Sequence, residues 1–144
     1  MAMDKDKRMI IFKDQEHELF YMNYLSKCKR QDVYHKALIY CLGISGDTRQ
    51  NIGRIFDFKK GSMKTKCLEE EWITNGSAKV VRMAFNLFCN GTPSAYALEG
   101  DEKVKECKRY TVEDLFCCEY ALYFWEAVKV RYPEYCYPVG LPAF

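Results

Sequence analysis

Eight cysteines and two histidines are the residues of this chain with the most chemistry in them. A cysteine beside a histidine makes a nucleophile pair, and about four such side chains hold a tetrahedral zinc ion. The spacing favours neither. Cys28, Cys41, Cys67, Cys89, Cys107, Cys117, Cys118 and Cys136 contain no C-x-x-C knuckle. Cys117 and Cys118 are adjacent, so on a helix their thiols would point about 100° apart and chelate poorly. His17 falls in the first turn of an expected helix, as a surface or capping residue. His35, between Tyr34 and Lys36, reads as a hydrogen-bonded histidine. A reactive thiol needs a lowered pKa in an electropositive, accessible setting, and the default for these cysteines is that of small buried hydrophobes. The carboxylates of LEEEW (Leu68 to Trp72), with Asp101 and Glu102, read as solvated charge. Glu119 and Glu126 lie seven apart on one helical face and mark a wet edge, Glu126 being three residues before Lys129. Phosphate-binding loop, nucleophile elbow and dinucleotide fingerprint are all missing. The expectation is a non-enzyme: no catalytic residue, no metal site and no cofactor.

A second kind of chemistry is recognition. In CLGISGDTRQNI (Cys41 to Ile52), Ile39, Gly43, Ile44, Ser45, Thr48 and Ile52 fit the pattern of a helix-turn-helix. Gln50, Asn51 and Arg54 would then face base edges, and Lys59, Lys60, Lys64 and Lys66 of the following segment would hold phosphates like a wing. Arg49 breaks the pattern, because it stands where the second helix needs a buried apolar residue and an unpaired charge there is costly. The competing reading is a capped bend between two core helices with a solvated lysine loop. In the C-terminal segment, Tyr132, Tyr135, Tyr137 and Phe144 lie among prolines and could anchor a partner, or pack along their own domain.

The elements that must position these residues follow from periodicity and caps. Asp14 caps a helix from Gln15 to Cys28, and Asp32 one from Val33 to Leu42, closed by Gly43 in the left-handed position. Asp47 caps a short helix, Thr48 to Phe56. Alternation around Lys60-Gly61-Ser62 gives a hairpin, and Leu68 to Trp72 a helical turn. Ser77 caps a helix from Ala78 to Cys89, closed by Gly91. Residues 90–110 read as a loop, the best candidate for a mobile segment. Thr111 and Asp114 open a helix that runs to about Arg131, apolar nearly all round, where Pro133 stops it. The fold class is therefore mainly α: a compact bundle of about four or five helices around a central C-terminal helix at 112–131, with a small β-hairpin near 56–67.

Composition bounds the rest. With 144 residues, 49% hydrophobic and 29% charged, the chain suits one domain over 1–144 with a packed core, its ends (1–10 and 137–144) flexible or extended. A net charge of +2 excludes a strong long-range field toward nucleic acid while leaving room for a local patch. The start, MAMDKDKR, has no apolar region behind it, and no run approaches the roughly 20 apolar residues of a membrane span, so the expected compartment is the cytoplasm.

Three runs carry a resemblance: DVYHKALIYCLGISGDTR, KVVRMAFNLFCNGTPS and YTVEDLFCCEYALYFWEAVKVRYPEYC. Over roughly residues 11–136 the chain resembles a domain-of-unknown-function family of small proteins from low-GC Gram-positive bacteria, their prophages and conjugative elements. The resemblance implies a mobile-element setting, where small proteins are often regulators or inhibitors of host defence nucleases. The expectation is a non-enzymatic interaction protein with a protein partner, anti-CRISPR-like in role. The alternative is a helix-turn-helix-type DNA-binding regulator using residues 33–56.

Overall fold

Six consecutive apolar residues, Ala37 to Leu42, are without solvent exposure, and the fold is arranged around the helix that carries them. In the computed structural model, which describes residues 9–137, this is α2 (Val33–Leu42), packed against α1 (Gln15–Leu25), α5 (Asn75–Cys89) and α8 (Ala121–Arg131). Burial on every side explains why α2 lacks a polar stripe over its last two turns. Asp32 caps it, accepting from His35 N at 2.9 Å. The architecture is mainly α, as the periodicity predicts. Short helices α3 (Gly46–Gln50) and α4 (Ile52–Ile55) lead into a two-stranded antiparallel hairpin, β1 (Phe56–Asp57) and β2 (Ser62–Met63), with Phe56 opposite Met63. A 3₁₀ turn follows at Thr65–Glu69. Gly61 supplies the positive φ (+68°) that the hairpin turn needs.

The 112–131 run is two helices rather than one. Thr111 caps α7 (Val112–Phe116) as its sequence suggests, but Cys117 leaves the helical region with ψ at 61° and α8 begins only at Ala121. The carbonyls freed by the break have a partner: Lys79 Nζ donates to Asp114 O at 2.7 Å and Cys117 O at 3.2 Å. α1 ends at Leu25, three residues earlier than expected. α5 starts earlier too, because Thr74 is its cap and Ser77 returns the bond in a reciprocal capping pair. Its left-handed closing residue is Asn90 (φ 59°), not Gly91. Pro133, expected only to stop a helix, opens a further turn, α9 (Pro133–Cys136), where its missing N–H is no loss.

Residues 90–110 are not a loop. They form a 3₁₀ turn at Pro93–Ala95 and helix α6 (Gly100–Lys108). α6 has no fully buried residue, hence no apolar stripe to read. It is held by charge instead. Arg82 of α5 meets Glu106 in a two-pronged pair, Nε to Oε2 at 2.9 Å and Nη2 to Oε1 at 3.0 Å. The Ser94 hydroxyl donates to the same carboxylate and lies 2.8 Å from the Tyr110 hydroxyl.

The chain before α1 is a strap. Ile10 is buried in the core; Ile11 N–H donates to Glu126 Oε2 at 3.0 Å, and the Tyr40 hydroxyl donates to Ile11 O. Glu126 is therefore a buried acceptor on α8 and not a wet edge, whereas Glu119 is exposed. His17 overturns its surface assignment: it is 0% exposed, accepting from Lys13 N at 3.1 Å on Nδ1 and donating from Nε2 to Tyr40 O at 2.7 Å. The reason is that the strap folds back over the first turn of α1, and Phe12 stacks its ring near those of His17 and Tyr40.

Gly43 has an ordinary right-handed φ of −82°, so its role differs from the one its position suggested. A methyl group there would sit 2.7 Å from His17 Cδ2 and 2.8 Å from Phe20 Cδ1. Glycine is needed because α1 crosses α2 at this point. Gly43→Ala should destabilise the protein by about 1–3 kcal/mol, the range for overpacking, despite the helix-favouring effect of alanine. A denaturant melt showing equal or higher stability would remove this account.

Candidate functional site

Two groups of exposed residues stand out, one basic and one apolar. The basic group begins in the stretch first read as a recognition turn. Ser45 caps α3, its hydroxyl accepting from Asp47 N at 3.2 Å, so Asp47 is not the cap. The expected helix from 48 to 56 is broken at Asn51 (φ −112°, ψ 22°), which joins the five-residue α3 to the four-residue α4. Arg49 is no unpaired core charge. Its Nη1 donates to Gly43 O at 2.8 Å, closing the end of α2, and its Nη2 meets Glu16 Oε2 at 2.9 Å. Gln50 and Arg54 are exposed, and Asn51 is half-buried with Nδ2 donating to Asp47 O at 2.8 Å. Arg54 stands 3.7 Å from Glu70.

Lys59, Lys60, Lys64 and Lys66 are all exposed. The hairpin turn is tied by Asp57, whose Oδ1 accepts from Lys59 N and Lys60 N at 3.0 Å each. The bond from Lys60 N, with that from Lys59 N and the nearby lysine charges, outweighs the opposing effect of desolvation and holds the Asp57 carboxyl below its ordinary value. Lys64 Nζ donates to Gly53 O at 2.8 Å and ties the hairpin to α4. Sequence reasoning missed the other half of this group. Phe58 lies 5.9 Å from the Tyr24 ring of α1, and Lys27 Nζ sits 4.4 Å above that ring. The turn after α1, which carries exposed Lys27, Lys29 and Arg30, thus lies near the hairpin through the Tyr24–Phe58 contact. The only signal in the chain was two basic runs, KCKR and KKGSMKTK, about thirty residues apart.

The exposed apolar residues lie on α8, the strap and α9. Leu122 (66% exposed) and Trp125 (49%) lie three apart on α8, and Ile11 (52%) belongs to the strap that Glu126 holds against that helix. Tyr135 on α9 is 81% exposed. Tyr132 is half-buried with its ring 4.4 Å from the Arg131 guanidinium, which Tyr34 covers at 3.9 Å. Arg131 itself is buried and closes α5 by donating to Leu87 O and Asn90 Oδ1, both at 2.9 Å. Tyr132 therefore serves packing. Tyr137 is half-buried, and Phe144 lies outside the described residues.

The cysteines divide. Cys28, Cys41 and Cys67 are buried, and the other five are partly or fully exposed, more than expected. Burial pushes the Cys28 thiol up to about 11 and Cys67 to about 12, and raises Cys41 as well, which keeps these thiols protonated and unreactive. His35 is hydrogen-bonded, its Nδ1 lying 2.7 Å from Asp32 Oδ1. Among the described residues, no three His, Cys, Asp or Glu side chains gather in a way that could hold a metal, and no helix is long and apolar enough to cross a membrane.

A buried central helix, a charge-clamped outer helix and a lysine-bearing hairpin define a small, mainly helical protein whose distinctive residues lie on its surface. The chain belongs to a family of unknown function, DUF6075, whose model matches residues 7–139. The three runs quoted above all lie inside that match. The chain matches no curated protein and no solved structure.

Proposed function

We propose that the protein is a non-enzymatic interaction protein of a mobile genetic element, and that it works by occupying a surface of a protein partner, a host defence nuclease being the class the resemblance suggests. The observation that carries this reading is the exposure of Trp125, Leu122, Ile11 and Tyr135. Large apolar and aromatic groups left in water are what the desolvated centre of an interface uses, and rings lose little side-chain entropy on binding. Of the aromatic anchors Tyr132, Tyr135, Tyr137 and Phe144, Tyr135 is the strongly exposed one among the described residues.

The test is affinity capture from the native host, followed by the binding constant of the captured partner for the Trp125→Ala/Tyr135→Ala variant. We expect at least a roughly 30-fold loss, the effect of removing a residue worth about 2 kcal/mol. No stoichiometric protein partner, or one bound equally well by the variant, would sink the reading.

A second reading, a DNA-binding regulator built on residues 33–56, is favoured by the exposed Gln50, Arg54 and hairpin lysines. A base-reading helix lies continuously in the major groove. Here that helix would have to span the break at Asn51.

A further inference from the structure

We propose that Lys27, Lys29, Arg30, Lys59, Lys60 and Lys64 form one surface that binds the phosphate backbone of duplex nucleic acid without reading its bases. This goes beyond the protein-partner reading and shares no residue with it.

The first argument is how the cations are paired. Elsewhere several cations meet carboxylates, Arg49 with Glu16, Arg82 with Glu106, Lys105 with Glu102 and Lys129 with Glu126, while Lys79 and Arg131 donate to backbone carbonyls. Among the described residues, none of the six cations of this face has a carboxylate within ion-pair distance. The acids within the two turns are occupied: Asp57 ties the hairpin turn, and Asp32 caps α2 and holds His35. An ordinary solvated surface intersperses the two signs. Like charges gathered within one or two Debye lengths, about 10 Å each at 0.1 M salt, repel one another and attract a polyanion.

The second argument is what the face lacks. Base stacking needs free aromatic faces. Phe58 packs on Tyr24 and on Phe56, and Tyr24 on Phe20 and under Lys27. Among the described residues of these turns no ring is left for bases, and the break at Asn51 leaves no continuous helix over 46–55 for the major groove. Lysine ammonium groups on an exposed turn and a helix end suit rows of phosphates. A duplex presents the denser row, about one charge per 1.7 Å of axis.

The test is fluorescence anisotropy of the whole chain with a random-sequence duplex across a salt series. With five or six phosphate contacts, log K should fall linearly against log salt with a slope of about −4.5 to −5.4, a loss of roughly 500- to 2,000-fold between 50 and 200 mM. The matching single strand should bind more weakly. Lys27→Glu/Lys59→Glu/Lys60→Glu should weaken duplex binding at least about 100-fold at low salt, since each lost phosphate contact weakens binding and flattens the slope by about one. Lys27→Arg/Lys59→Arg/Lys60→Arg should bind like the parent. Lys103→Glu/Lys105→Glu/Lys108→Glu, the same charge change on α6, should bind within a few-fold of it. No duplex binding at 50 mM salt, a flat slope, tighter binding of the single strand, or equal loss in both glutamate triples would overturn the proposal. So would an acidic protein captured through these lysines with no oligonucleotide bound. All three variants should melt cooperatively, and the arginine triple keeps the test decisive if a glutamate triple does not.

Discussion

Glu106→Ala should lower the unfolding free energy by about 2–4 kcal/mol, between the effect of an exposed ion pair and that of a fully buried one. Arg82 and Glu106 side chains are each only 12% exposed, and both oxygens of Glu106 are engaged by the guanidinium. Without Glu106, the guanidinium stays desolvated opposite nothing, with Arg109 beside the vacated position and the Ser94 hydroxyl losing its acceptor. The change should show as lost amide protection across 93–110 before the rest of the chain opens, because α6 has no buried apolar residue to hold it. Arg82→Met/Glu106→Met should recover much of the loss, since an apolar pair leaves no orphaned charge. A Glu106→Ala melt within about 1 kcal/mol of the parent, typical of an exposed pair, would mean that the clamp is open in solution. Burial by itself would raise the Glu106 carboxyl. The bonds from Arg82 and Ser94 and the charges of Arg82 and Arg109 outweigh it and hold the group below its ordinary value. Its contribution is thus complete above the unfolded carboxylate pKa and fades as pH falls through the lower folded one.

His17 should make stability fall at a higher pH than the carboxylates do. Burial lowers its pKa to about 4 from 6.5, against the raising effect of its bond to Tyr40 O and the Asp14 charge. Tyr40 O can only accept and Lys13 N–H can only donate, so the ring is neutral, with its proton on Nε2. Protonation at Nδ1 would break the Lys13 bond inside the core. The folded pKa is the lower one, so the stabilisation is fully present above pH 6.5 and is lost as pH falls toward 4. Over that window the linkage amounts to about 3 kcal/mol. His17→Gln offers a donor and an acceptor without a titrating ring. The difference between parent and variant melts should narrow steadily from pH 7 to pH 4, as the parent loses the His17 contribution and the variant does not. A difference constant over that range would show that His17 does not titrate in the fold.

The basic face and the apolar group were legible to different extents. Lys59, Lys60, Lys64 and Lys66 could be named from the chain because a hairpin signal set them in one turn. Lys27, Lys29 and Arg30 could not be joined to them, because the link is a ring contact between Tyr24 and Phe58, thirty-four residues apart. Arg49 shows the same limit: its partner Glu16 lies thirty-three residues away, and without that partner the sequence presents only an ill-placed charge. Trp125 and Leu122 looked like core because composition cannot say which side of an apolar helix faces water.

By itself the sequence determined what is local. The helices expected at 15–28, 33–42 and 78–89, found at 15–25, 33–42 and 75–89, the caps at Asp14, Asp32 and Thr111, the hairpin turn at Gly61 and the mainly α class all follow from periodicity and from side chains that bond the backbone within about four residues. Tertiary structure decided what depends on distant partners: that α2 is the buried centre, that the 112–131 run breaks where Lys79 satisfies its carbonyls, that Glu106 turns an apparent loop into a clamped helix, and that a Tyr24–Phe58 contact brings two basic runs near each other. The physical reason is that burial and charge pairing are properties of a place in the fold. The same glutamate is a solvated charge or a structural anchor depending on whether an arginine from another helix reaches it.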